Sequence, residues 1–227
     1  MKDIISSVSL FSELDDTELD AINALVTRKL VNKHTIVVEE GEVGDAMAII
    51  LSGSVKVSQF ASNGREVVLC LLECGSFFGE MALLDTGQRS ATVTTMQESE
   101  LGFIRRNDFS RLMLEMPRLT SKLLAEIAHR LRRTNLMLAH ISMLDVNHRL
   151  YAYLLDYCEQ FGSQRPDNHT EIQLPAHQLV ADQLFTSRET ISRAISTLKK
   201  DGVIVPQTGR GRVRVNVDAL DEMIESL

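Results

Sequence analysis

Two stretches of this chain hold residues whose types and spacing could do specific chemistry. Phe78-Gly79-Glu80-Met81-Ala82 is followed closely by Gln88-Arg89-Ser90-Ala91-Thr92. Arg89 supplies a planar cationic fork that can bond two oxygens of a phosphodiester at once. Ser90 adds a neutral donor, and the backbone amides of Gly79, Glu80, Met81 and Ala82, at the start of an expected short helical turn, can point at the same anion. Glu80 can accept from a sugar hydroxyl, and it is a carboxylate with which Arg89 can pair when no ligand is bound. These are the parts needed to hold a cyclic phosphate and its ribose; the plainer alternative is an Arg89–Glu80 ion pair across a hairpin.

A hundred residues on, Thr186-Ser187-Arg188-Glu189-Thr190-Ile191-Ser192-Arg193 joins a Ser/Thr helix start to a charged first turn. Arginine bonds guanine O6 and N7 bidentately, and glutamate accepts from cytosine N4. Arg188, Glu189 and Arg193 therefore suit a helix that reads base edges of double-stranded DNA, with Ser187 or Thr186 as its cap. Ser187, Thr190 and Ser192 suit phosphate contact or packing, and Lys199 joins the expected DNA contacts further along. From Thr186 to Arg214 there are seven basic and two acidic residues, a local charge of +5, whereas the whole chain carries −7. One basic patch on an acidic body binds phosphates there and repels them elsewhere; a solvated helix face would account for Lys199-Lys200 equally well.

The elements that must position these residues follow from pattern. At 227 residues, two domains are expected. Residues 11–30 read as an amphipathic helical lead-in, with Ser12 or Asp16 as cap and Leu19, Ile22 and Leu25-Val26 at helical spacing. From 34 to 104, short β-rich runs alternate with turn residues: 35–38, 47–51, 54–60, 66–72, 91–95 and 101–104. Ser62-Asn63-Gly64-Arg65 predicts a type I′ hairpin turn, and the whole predicts an antiparallel jelly-roll-like barrel. Residues 107–144 read as helix, started or kinked at Pro117. Within it Leu124, Ile127, Leu131, Thr134, Leu138 and Ile141 form a heptad seam, which predicts a parallel coiled-coil homodimer through residues 120–144. A helix lying on its own barrel is the alternative. Asp145 should cap a helix over 146–161, and a polar exposed loop should follow at 162–168. After it come a strand at 171–174, helices at 176–184 and 187–200, and strands at 203–205 and 212–217 joined at Gly209-Arg210-Gly211, the order of a winged helix-turn-helix. The fold class is thus α+β, with a barrel domain at 1–106, a dimerisation helix at 107–145 and a DNA-binding domain at 146–227.

This arrangement resembles the cAMP receptor protein/fumarate-nitrate regulator (CRP/FNR) family across essentially the full chain. The 78–92 stretch looks like that family's phosphate-binding cassette, and Ser187-Arg188-Glu189-Thr190-Ile191-Ser192-Arg193 looks like its recognition helix for TGTGA-type half-sites. The resemblance implies a homodimeric transcriptional regulator with cAMP as effector. It places Gly79, Glu80, Met81, Ala82, Arg89, Ser90 and Ala91 at the phosphate and ribose, with Thr134 and Asn135 at the adenine of the other subunit's pocket. Thr134 also stands out without the family, as a hydroxyl in an aliphatic seam that needs a partner. Asn135 departs from the serine of close relatives, which leaves cGMP open beside cAMP. Phe185 stands where the family often has a turn glycine. RNA polymerase is the implied protein partner.

The resemblance also implies other effectors for the same architecture: cyclic di-GMP, which an arginine and a glutamate would serve too and which stays the alternative, a haem-bound gas and an iron–sulfur cluster. No cysteine precedes Cys70, which disfavours the cluster, and His34 has no evident second haem ligand. Cys70, Cys74 and Cys158 show no CxxC pair, and the six histidines show no metal-ligand spacing, so structural thiols and no metal are expected. A cyclic-nucleotide module without a DNA reader would lack the winged helix. No nucleophile–base spacing suggests an enzyme. No apolar run approaches the roughly 18 residues of a membrane span, and no signal-peptide core follows Met1-Lys2-Asp3; a cytoplasmic protein without membrane attachment is the expectation.

Overall fold

Short runs of β-branched and aromatic residues between Thr27 and Arg105 build, among the described residues, eight strands: β1 (Thr27–Val31), β2 (Ile36–Val38), β3 (Ala46–Ser52), β4 (Ser54–Phe60), β5 (Glu66–Glu73), β6 (Phe77–Phe78), β7 (Thr92–Thr95) and β8 (Ser99–Arg105). The computed structural model describes residues 5–64, 66–85, 87–165, 169–209 and 211–225. The strands pair antiparallel in two four-stranded sheets, ordered β1-β8-β3-β6 and β2-β7-β4-β5. Val31, Ala48, Ile50, Phe78 and Leu101 of the first sheet meet Val38, Val55 and Val93 of the second in a buried core. β3 is buried on both faces, because Met47, Ile49 and Leu51 point the other way into a second core with Phe77 and Ile104. Helices cover that outer face: α1 (Asp16–Leu25), the one-turn α2 (Met81–Leu84), α3 (Arg106–Glu115) and α4 (Pro117–Met143), through Leu19, Ile22, Leu83, Phe109, Leu112, Leu119 and Leu123. This is the expected jelly-roll arrangement of alternate in-and-out residues.

Three local expectations are corrected. The helical lead-in ends at Leu25, since Thr27–Val31 pairs with β8 as a strand, and its cap is Asp15, not Ser12 or Asp16. Asp15 accepts from the amides of Thr17 and Glu18 while Glu18 accepts from the amide of Asp15, a reciprocal capping box. The β4–β5 turn is not type I′. Among the turn's described residues Gly64 has a positive φ, of 80°, and Asn63 does not, whereas type I′ needs both; the Gly64 amide donates to Ala61 O at 2.8 Å. Arg65 of that turn lies outside the described residues.

Pro117 starts α4, where its missing N–H costs nothing. The chain divides into two units, Met1–Arg132 and Arg133–Leu227, with the division inside α4. In the second unit Asp145 caps α5 (Val146–Phe161) by accepting from the amides of Asn147 and His148. A sheet ordered β11-β12-β10-β9 follows, from β9 (Ser163–Gln164), β10 (His169–Gln173), β11 (Ile204–Pro206) and β12 (Arg212–Asn216). Ser163 and Gln164, expected as loop, are a short edge strand against β10. Between these strands lie α6 (His177–Gln183) and α7 (Arg188–Lys200), and α8 (Val217–Glu225), which the pattern did not announce, closes the unit. Leu150, Leu154, Ile172, Val180, Ile191, Ile195, Leu198, Val213 and Val215 form its core. Arg210 at the expected wing tip and residues 166–168 lie outside the described residues. Among the described residues no helix is long and apolar enough to cross a membrane.

Candidate functional site

β6 delivers Phe78 into the core and stops at Gly79, whose φ of 81° turns the chain into α2. Arg89 comes back against this turn from the segment that enters β7. Its guanidinium donates to Gly79 O at 2.8 Å and to Ala46 O at 2.6 Å. Two glycines make room for it. A Cβ at Gly79 would lie 2.6 Å from Arg89 Nη1, and one at Gly44 would lie 2.8 Å from Arg89 Cζ and 2.6 Å from the Ala82 methyl. Any side chain at either position would push the guanidinium out of its seat. The backbone is fixed independently by Arg89 N donating to Glu42 O and Gly41 N donating to Arg89 O. Burial pulls the Arg89 guanidinium below its ordinary value; the nearby Asp45 carboxylate offsets this, and the positive Arg106 adds to it. A partly desolvated guanidinium is a stronger partner for an anion than one in water.

Glu80, next in the chain, is only 2% exposed. The expected Arg89–Glu80 pair is not its ion pair: Glu80 Oε1 accepts from Arg130 Nη1 at 2.9 Å. Arg130 also donates to Phe77 O at 2.8 Å and stacks 4.4 Å over the Phe77 ring. The two candidate ligand groups are thus separately held, Arg89 by carbonyls and Glu80 by a cation on α4. Ser90 Oγ lies 3.8 Å from Met81 Sδ, and Ser90 O accepts from Gln59 Nε2 at 2.8 Å. Ala82 and Ala91 are buried, whereas Met81 is exposed. The structure therefore gathers Gly79, Glu80, Met81, Ala82, Arg89, Ser90 and Ala91 around one turn. Thr134 and Asn135 stand on α4 beyond Arg130, in the other unit.

Sequence reasoning missed Gly44, Ala46, Arg106 and Arg130. Arg130 carried only its place one helical turn before Thr134. Gly44 and Ala46 carried none, since their role is to offer space and a carbonyl.

In the second unit α6 ends and α7 begins through a tight turn. Thr186 N donates to Ala181 O and Leu184 N to Val180 O, with Phe185 at φ 55° between them. This is a Schellman-type ending with phenylalanine where glycine is usual. Ser187 caps α7, accepting from Thr190 N at 3.1 Å, and its Oγ lies 2.9 Å from Thr190 Oγ1. Both hydroxyls are engaged at the helix start, which settles the choice between Ser187 and Thr186. Ile191, Ile195 and Leu198 anchor α7 in the core, leaving Arg188, Glu189, Arg193 and Lys199 exposed. His177 at the start of α6 has its pKa lowered by burial, then by Lys199 and Arg188. A helix presenting cations and one carboxylate, anchored by the opposite face, can enter a DNA groove.

Comparison with known proteins agrees with both halves. A model of the cyclic nucleotide-binding domain matches residues 28–116, and one of the Crp-like helix-turn-helix domain matches residues 148–223. The chain is 33% identical over 215 residues to the cyclic AMP receptor protein of Thermus thermophilus, covering 95% of both. It is 29% identical over 204 residues to the CRP-like cAMP-activated global transcriptional regulator of Mycobacterium tuberculosis, covering 90% of this chain and 91% of that protein. Among solved structures, the Thermus thermophilus catabolite activator protein aligns with a TM-score of 0.56 at 32% identity, over 96% of this chain and 99% of that one. A CooA mutant from Carboxydothermus hydrogenoformans shares the fold at a TM-score of 0.77 and 18% identity, over 89% of both chains.

Proposed function

The chain belongs to the CRP/FNR family of DNA-binding transcriptional regulators, and on that premise we propose that it is a cytoplasmic homodimer that binds a palindromic TGTGA-like DNA site under the control of cAMP. The observation that carries this reading is the seat of Arg89. A half-buried guanidinium, held open by Gly44 and Gly79, adjoins the buried carboxylate of Glu80. The cyclic phosphate bonds Arg89 and Ser90, and the ribose hydroxyl donates to Glu80. Because Glu80 is tied to Arg130, a change at the ribose is felt directly on α4. Thr134 and Asn135, supplied by a second subunit, remain the proposed adenine contacts.

The homodimer is supported by α4 itself. Leu124, Leu131 and Leu138 are between 60% and 66% exposed along one seam, an apolar stripe of the width a helix partner covers. Ile127 departs from the seam, since it packs on the chain's own core. In this reading residues 1–106 form the effector domain, 107–145 the dimerisation helix and 146–227 the DNA reader, where Ser187, Arg188, Glu189, Thr190, Arg193 and Lys199 face DNA. RNA polymerase is the proposed protein partner.

The test is a titration of a duplex carrying inverted TGTGA half-sites, with and without cAMP, cGMP or cyclic di-GMP. cAMP is expected to tighten binding by about tenfold or more, the usual size of such coupling, and Arg89→Leu to abolish that gain. Binding that is equal in all four conditions would overturn the reading.

A further inference from the structure

Arg106, the first residue of α3, has no place in the expected ligand set, yet its bonds converge on the same two backbone segments as those of Arg89. Its amide donates to Asp45 O at 2.7 Å. Its guanidinium donates to Gly44 O at 2.6 Å, Ala82 O at 2.6 Å and Leu83 O at 3.0 Å. Arg89 bridges the same segments one step away, at Ala46 O and Gly79 O. Two guanidiniums thus staple residues 44–46 to residues 79–83, and they lie close enough that the charge of Arg106 helps to lower the pKa of Arg89, after burial.

We propose that Arg106 is the positioning residue of the nucleotide site: it clips the 44–46 segment to α2, so that the seat of Arg89 keeps its shape when the Arg89 fork turns from carbonyls to a phosphate. This inference rests on the reading of that site as a cyclic-nucleotide pocket. A guanidinium has five N–H donors, and two of Arg89's are spent on Gly79 O and Ala46 O. A bidentate phosphate draws on the same fork and weakens those two ties at the moment of binding. The bonds of Arg106 run to other carbonyls and persist. Two of them, Ala82 O and Leu83 O, belong to α2, a one-turn helix too short to satisfy its last carbonyls with its own amides. A cation there is favourable for the local dipole as well. Lysine cannot replace it, because a single ammonium cannot span three carbonyls in the plane of one fork.

The test uses the full chain with Arg106→Gln and Arg106→Lys. Amide hydrogen exchange without nucleotide reads the clip, and calorimetry with cAMP reads the pocket. The two phosphorothioate diastereomers of cAMP, which place sulfur at one or the other exocyclic position, read the geometry of Arg89. Both variants are expected to speed exchange in 41–46 and 79–85 selectively, weaken cAMP by about tenfold or more, and bring the affinity ratio of the two diastereomers toward unity. A general loss of stability would weaken both diastereomers alike and leave their ratio intact, which would overturn the positioning role. Unchanged exchange in the two segments, rescue of affinity by lysine, or exchange that rises while cAMP affinity and the ratio hold would each overturn it too. Variants that speed exchange throughout the chain would show Arg106 to be a general structural residue and sink the proposal. If the unmodified protein binds no cyclic nucleotide, the functional reading fails first, and the exchange data still report whether the clip exists.

Discussion

A carboxylate taken out of water needs a cation, and the one that reaches Glu80 comes from fifty residues further along the chain. Removing it should be more costly than removing a surface charge. Arg130→Ala leaves Glu80 buried and uncompensated, and its side chain is itself about one-third exposed, so we expect a loss of about 2 kcal/mol in urea denaturation, below the 3–5 of a fully buried pair. Arg130→Lys should recover part of it. The candidate site was half legible for this reason. Arg89, Ser90 and Glu80 announce themselves because their chemistry and close spacing point to one ligand. Arg130, Arg106 and Gly44 do not, because their partners are distant in sequence and their contribution is a carbonyl, a cation or an empty volume. The Arg89–Glu80 pair, the plainer alternative, gives way on the same ground: neighbouring opposite charges invite pairing, and only the fold reveals that α4 brings a competitor.

The turn between α6 and α7 holds a bulky residue in a conformation that L side chains seldom adopt. Phe185→Gly should leave stability within about 1 kcal/mol of the parent, since backbone relief offsets lost ring contacts. Phe185→Val, β-branched at the same φ, should lose about 2 kcal/mol; thermal unfolding of the two variants separates them. His177, at the start of α6, gives a pH prediction. Burial, then Lys199 and Arg188, hold its pKa below the ordinary value, so the unfolded chain binds the proton more readily. The stability this contributes is full above the unfolded value of about 6.5 and is lost as pH falls through the lower folded value. The melting temperature of the parent should therefore drop further between about pH 8 and pH 5 than that of His177→Gln. At this scale the sequence was most readable where pattern is long. α4, α5, α7 and most strands of the sandwich fall near their expected places. β1 has a helical look in the sequence because Leu25-Val26 prolongs the apolar spacing of α1, and nothing local shows that Thr27–Val31 will pair with a strand some seventy residues away. β6 is two residues long, too short for any periodicity.

Over the whole molecule, the proposed twofold assembly rests on one apolar seam. Leu138→Glu should convert a dimer to a monomer in sedimentation equilibrium and abolish binding to the inverted site while leaving each domain folded by circular dichroism. Retention of a dimer would move the interface elsewhere. The order of the parts was legible in full, because a barrel, a long helix and a winged helix are each marked by their own pattern. Contacts between segments far apart in the chain were not. The distribution of charge has a further effect on how such a protein meets DNA. Residues 186–214 are positive, but the rest of the chain is more strongly negative. Beyond a Debye length, about 8 Å at physiological salt, a duplex is repelled or ignored, and only a molecule already turned the right way round is drawn in. Lowering ionic strength should therefore sharpen the choice of orientation at landing, instead of merely making the protein stickier.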